Sequence, residues 1–93
     1  MMHPYLTLAD GTQVVFSDLI PDEDERALPK VYVQFERPCD NGFDSVRFEL
    51  PSYGYEIWEG SFTEDEMAFF KTFLSNNAHL LYAYAAEGGL RSA

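Results

Sequence analysis

A single cysteine, Cys39, occurs in the 93 residues, and the two histidines, His3 and His79, stand near opposite ends of the chain. One cysteine excludes an internal disulfide, and no Cys or His recurs at the spacing of a structural zinc site. Cations are scarce too: six Lys and Arg stand against sixteen Asp and Glu, a formal net charge of −10. The six (Arg26, Lys30, Arg37, Arg47, Lys71 and Arg91) form no basic stripe. A nucleic-acid reader needs clustered cations to replace phosphate counterions. Direct binding to DNA or RNA is therefore excluded, and so is attraction to an anionic membrane surface. The longest apolar run, residues 80–86, falls far short of the ~20 residues that span a bilayer. The opening MMHPYLTL has no basic segment leading into an apolar one, so it does not read as a signal peptide. The six glycines make neither a dinucleotide fingerprint nor a phosphate loop. These absences predict a cytoplasmic protein with a reduced thiol, no metal and no cofactor.

What is abundant is aromatic and acidic. Eight Phe, six Tyr and one Trp make up 16 % of the chain. Large rings bury much area per residue, which suits one small domain. The acidic excess favours solubility and steers a basic partner toward the surface.

Alternation marks the strands. In KVYVQFERP, Val31, Val33 and Phe35 fall on one face and Tyr32, Gln34 and Glu36 on the other. In SVRFEL, Val46, Phe48 and Leu50 oppose Ser45, Arg47 and Glu49. The two runs predict an antiparallel hairpin with Arg47 across from Glu36. In YLTLADGTQVVF, Asp10-Gly11 suits a two-residue turn, which sets Leu8 opposite Gln13, Leu6 opposite Val15 and Tyr5 opposite Phe16. Between these hairpins, Pro21 and Pro29 bracket an acidic run, Asp22 to Glu25, that reads as an exposed loop without the ligand spacing of an EF-hand. After Pro51, the stretch SYGYEIWEG sends Tyr53, Tyr55 and Ile57 to one side and Glu56 and Trp58 to the other.

The rest is helical. Thr63 with Glu66 makes a capping box, Glu64 and Asp65 suit the positive end of the helix, and Gly88-Gly89 supply the stop. Met67, Phe70, Leu74, Leu81 and Tyr84 recur at helical spacing. Residues 75–77, Ser-Asn-Asn, leave open whether residues 64–87 form one helix or two. The fold expected is α+β: an antiparallel sheet of four or five strands with the C-terminal helical segment across one face. Leu6, Val15, Val31, Val33, Phe35, Val46, Phe48, Leu50, Met67, Phe70, Leu74 and Leu81 are its expected core.

A Val- and Phe-rich hairpin followed by EGSFTEDEMAFFKTFLSNNAHLLYAYAAEGG resembles a class of small bacterial domains in which GFS-x-x-E opens a C-terminal helical segment that closes a small sheet. Some members of that class are encoded beside toxin–antitoxin genes. The resemblance covers about residues 43–89 and implies the fold and a bacterial setting. The toxin–antitoxin-linked members carry a His-rich strand before the helix, where this chain has VYVQFERP. No residue-level role is therefore carried over.

Two functional readings follow. In the first, the chain is a non-enzymatic interaction or regulatory module, antitoxin-like in its acidity. Trp58, flanked by Glu56 and Glu59, would anchor a basic, partly apolar protein. The segment HLLYAYAA, apolar nearly all round, would form a homodimer through Leu80 and Tyr84. In the second, a ligand-binding protein or small enzyme uses Cys39, or Glu56 and Glu59 near Trp58. Cys39 would need a nearby base to make it a nucleophile, and a carboxylate pair would need a cleft around it.

Overall fold

The chain is seen in a computed structural model, which describes residues 2–88; Gly89 and Arg91 lie outside the described residues. Five strands form one antiparallel meander in the order β1-β2-β3-β4-β5: Met2–Thr7, Gln13–Ser17, Val31–Cys39, Gly42–Leu50 and Gly54–Glu59. Among the described residues a single helix, α1, runs from Glu64 to Ala86. The architecture is the α+β arrangement expected, with five strands.

Alternation builds the core. Val14 and Phe16 of β2, Val31, Val33 and Phe35 of β3, and Val46, Phe48 and Leu50 of β4 all face the helix and are buried. Phe70, Leu74, Leu81 and Ala85 of α1 complete this cluster. The Phe35 ring stacks on Phe70 at 4.1 Å, with Phe48 and Phe73 edge-on at 5.7 and 5.8 Å. The helix lies mainly over β2 and β3, so cover thins out toward β5.

Two registers differ from expectation. The first hairpin pairs Leu6 with Val14 and Thr7 with Gln13, and a bulge at Tyr5 then pairs Pro4 with Val15 and His3 with Phe16. The turn is wider than two residues because Asp10 accepts the Thr12 N–H at 2.9 Å and Leu8 donates to the Thr12 carbonyl at 2.7 Å. Leu6 is consequently exposed and Val15 lies half-buried on the face away from the helix, while Val14 and Phe16 take the core places. Met67 is half-buried rather than interior. In the second hairpin, Cys39 pairs with Gly42, so Arg47 faces Gln34 and Glu36 faces Ser45.

The helix is continuous through Ser75-Asn76-Asn77. Asn77 turns its side-chain polarity to use: its amide donates to the Phe73 carbonyl and its oxygen accepts the Tyr5 hydroxyl at 2.7 Å. The capping box is formed in both directions, Glu66 N–H to Thr63 Oγ1 at 3.1 Å and Thr63 N–H to Glu66 Oε1 at 2.9 Å. Arg37 fastens this end of the helix to the sheet. It donates to Asp44 Oδ2 at 2.8 Å and to the Ser61 carbonyl at 3.1 Å, pairs with Glu66, and lies over the Phe62 ring at 4.7 Å. Gly60, at φ 70, sits where a Cβ would collide with the Asp44 carboxylate.

Candidate functional site

The face of the sheet turned away from α1 carries a row of stacked groups. Arg47 on β4 lies over the Trp58 ring at 4.1 Å and over the Tyr32 ring at 5.0 Å. Its Nη2 donates to Gln34 Oε1 at 3.3 Å, and Gln34 in turn donates to Ser45 Oγ at 3.2 Å. The Arg47 Nε is enclosed without a hydrogen-bond partner among the described residues. Strand alternation alone accounts for this grouping, since Tyr32, Gln34, Arg47 and Ser45 are all off-core positions of β3 and β4.

β5 brings Trp58 and both glutamates to this face. Arg47 pairs with Glu56, and a bulge opposite Ser45 and Val46 then pairs Ser45 with Glu59. A bulge opposes two residues to one and re-aims the side chains beside it, so Trp58 and Glu59 line the same concavity. Trp58 is 46 % exposed. Lys30 lies 3.6 Å from Glu49, but Glu36, Glu56 and Glu59 make no ion pair among the described residues. The far edge of the face is therefore acidic despite Arg47.

The concavity is shallow and open, about 550 Å³, and Gln34, Glu36, Cys39, Ser45, Trp58 and Glu59 are among the residues that line it. Cys39 thus comes to the same recess as Trp58. Neither histidine joins it. His3 is hydrogen-bonded to Asp18 at 2.6 Å and packs on Phe16, on the helix side, and His79 is exposed on the helix itself. The His3 bond holds the Asp18 carboxyl below its usual range. Glu56 lines a separate recess of about 260 Å³ with Tyr32, Arg47, Glu49 and Tyr55. The two glutamates that a sugar-cleaving pair would use therefore flank two recesses, not one.

Leu80 and Tyr84 stand one turn apart on α1, and Leu80 is the more exposed of the two. Tyr84 is half-buried against the Tyr5 ring, 6.2 Å away, and Tyr82 reaches across to the Pro29 carbonyl at 2.9 Å. Leu81 and Ala85 are in the core, so Leu80 and Ala83 remain on the solvent side with Phe69 about three to four turns earlier. One side of this segment is covered, while His79, Leu80, Ala83 and Ala86 are exposed. Among the described residues, no group of three or more His, Cys, Asp or Glu is arranged to hold a metal ion, and no helix is long and apolar enough to cross a membrane.

No family model, no curated protein and no solved structure matches the chain.

Proposed function

We propose that the chain is a non-enzymatic, acidic protein-interaction module of the cytoplasm, regulatory or antitoxin-like in role, that binds a basic partner on the uncovered face of its sheet. The observation that supports this most is Trp58: half-exposed, stiffened by Arg47 beneath it, and bordered by Glu56 and Glu59, which have no ion-pair partner among the described residues. Interface energy concentrates on aromatic anchors of this kind, and unpaired surface charge speeds encounter with an oppositely charged partner. The shallow recesses and the placement of both histidines away from Cys39 speak against the enzyme reading.

Affinity capture from cells that make the protein, with wild type and Trp58→Ala as parallel baits, tests the proposal. A basic protein should be held by the wild type, released by salt, and bound more weakly by Trp58→Ala by on the order of 2 kcal/mol. Equal retention by both baits removes Trp58 from the interface.

Self-association through the helix is a second proposal, supported by Phe69 and Leu80, which are 53 % and 37 % exposed. Leu80→Glu should lower the mass seen in sedimentation. A wild type that sediments as a monomer at millimolar concentration ends it.

A further inference from the structure

The two edges of the sheet are treated differently. β1 carries Pro4, which has no N–H to offer, and a bulge at Tyr5. Both are devices that stop a further strand from adding. β5 has neither proline nor lysine, and its residues Gly54 to Ile57 pair with β4 in regular register, the bulge falling beyond them. All six residues of β5 are exposed. Among the described residues β5 has β4 on one side and no strand on the other, so alternate residues present unpaired N–H and C=O groups outward.

The side chains beside this edge have two characters. On the helix side, Tyr55 and Ile57 are 52 % and 41 % exposed because α1 lies over β2 and β3. With Phe62, Met67 and Ala68 they line a mainly apolar recess of about 370 Å³, whose charged groups are Glu64 and Lys71, the latter 5.5 Å from the Tyr55 ring centre. On the open side stand Trp58, Glu56 and Glu59.

Resting on the acidic-module reading above, we infer that the free edge of β5 accepts an extended segment of a partner protein as a sixth strand, and that the segment alternates apolar and basic residues. Successive side chains of an added strand point to opposite faces. One set enters the recess of Tyr55, Ile57 and Met67, where Phe62 and Ala68 complete an apolar lining and the charges of Glu64 and Lys71 offset each other. The other set meets Glu56 and Glu59, which lack an ion-pair partner among the described residues, and the rim of Trp58. Backbone hydrogen bonds supply the attachment, and the two faces supply the pattern. A second copy of the chain fits poorly, because pairing two β5 edges gathers Glu56 and Glu59 from both copies along one seam between molecules of charge −10.

The test uses the full chain and a synthetic seven-residue peptide of alternating lysine and valine, capped at both ends. Binding is followed by the Trp58 fluorescence and by hydrogen exchange of the β5 amides. The expected result has three parts. The alternating peptide binds and slows exchange in β5. N-methylation of one alternate set of its amides abolishes binding while methylation of the other set does not. Ile57→Lys weakens binding about tenfold with the melting temperature unchanged. Equal binding of a peptide with the lysines grouped together, indifference to methylation, or no binding at millimolar concentration overturns the inference. Binding that ignores methylation yet is lost in Trp58→Ala also overturns strand addition, but leaves the acidic-module reading standing. If no basic protein or peptide binds at all, that reading fails as well. A mass that doubles with concentration and is restored to monomer by Ile57→Lys assigns the edge to a second copy and overturns the inference.

Discussion

Tyr32, Val33, Gln34, Phe35 and Glu36 are neighbours on β3, yet they belong to two unlike surfaces. Val33 and Phe35 are fully buried, with Phe35 stacked on Phe70 and edged by Phe48 and Phe73. Tyr32, Gln34 and Glu36, on the other side, are only half-buried and meet charged and polar groups. One face is held by excluded water and interlocked rings. The other is held by an arginine over two rings, whose buried Nε has no hydrogen-bond partner among the described residues. Alternation divides residues into two sets, but the helix decides which set becomes interior. Because α1 lies over β2 and β3, the distinction weakens toward β5, where Tyr55 and Ile57 have a core parity and an exposed position.

The largest expected effect tests that division directly. Phe35→Ala should lose about 3–5 kcal/mol of stability, the range for truncating a buried phenylalanine that the surroundings cannot fill. Trp58→Ala should lose only about 1.5 kcal/mol, from half-exposed area and one cation–π contact. Urea unfolding of both variants decides it. Losses of similar size would mean that the open face is as structural as the covered one.

Arg37 continues the covered face of β3 past Val33 and Phe35. It stands at the sheet end where β3, β4 and the start of α1 meet, and Asp44, Ser61, Glu66 and Phe62 all converge on it. Its loss leaves two carboxylates close together without their cation. Arg37→Ala should cost about 2 kcal/mol, more than an exposed pair and less than a fully buried one. A double-mutant cycle with Glu66→Ala should show the two sites coupled, since both act on the helix start. Additive losses would show that the capping box holds the helix without the sheet.

The helix cap, the strands of the second hairpin and most of the core were legible in sequence because each rests on local pattern. Thr63 and Glu66 are three apart, and Val31, Val33 and Phe35 alternate without interruption. Register was less legible. Pairing Arg47 with Glu36 corresponds to a turn at Asn41-Gly42, the dipeptide most favoured in short hairpins. The chain turns at Asp40-Asn41 instead, and Gly42, at φ 135, becomes the first residue of β4. In the first hairpin the Asp10 side chain captured the Thr12 N–H and widened the turn, which moved Leu6 and Val15 out of the core. The candidate site depended on that register and on a bulge. Trp58 with Glu56 and Glu59 was readable as a cluster, whereas the Arg47 stack needed the observed pairings across three strands.

The smallest expected effect is at alkaline pH and belongs to the covered side. Burial pushes the hydroxyl of Tyr82 above its ordinary value of 10.0, and the negative charges of Glu49 and Tyr53 add to this. Burial likewise raises Tyr5, with Tyr84 adding to it. Both hydroxyls donate in the folded chain, to the Pro29 carbonyl and to Asn77. A raised pKa means that the folded state keeps a proton the unfolded state has released. The stability it contributes is therefore complete below about pH 10 and is lost as pH rises through the folded value. Melting temperatures measured between about pH 9 and 11 should fall for the wild type. Tyr82→Phe should be less stable at neutral pH by about 1 kcal/mol, the net worth of one hydrogen bond. It should also fall less steeply with rising pH, because one of the groups that link proton release to unfolding is gone. Tyr5→Phe should behave in the same way through its bond to Asn77. Curves that stay parallel across this range would mean that neither hydroxyl is held more firmly in the folded chain than in the unfolded one.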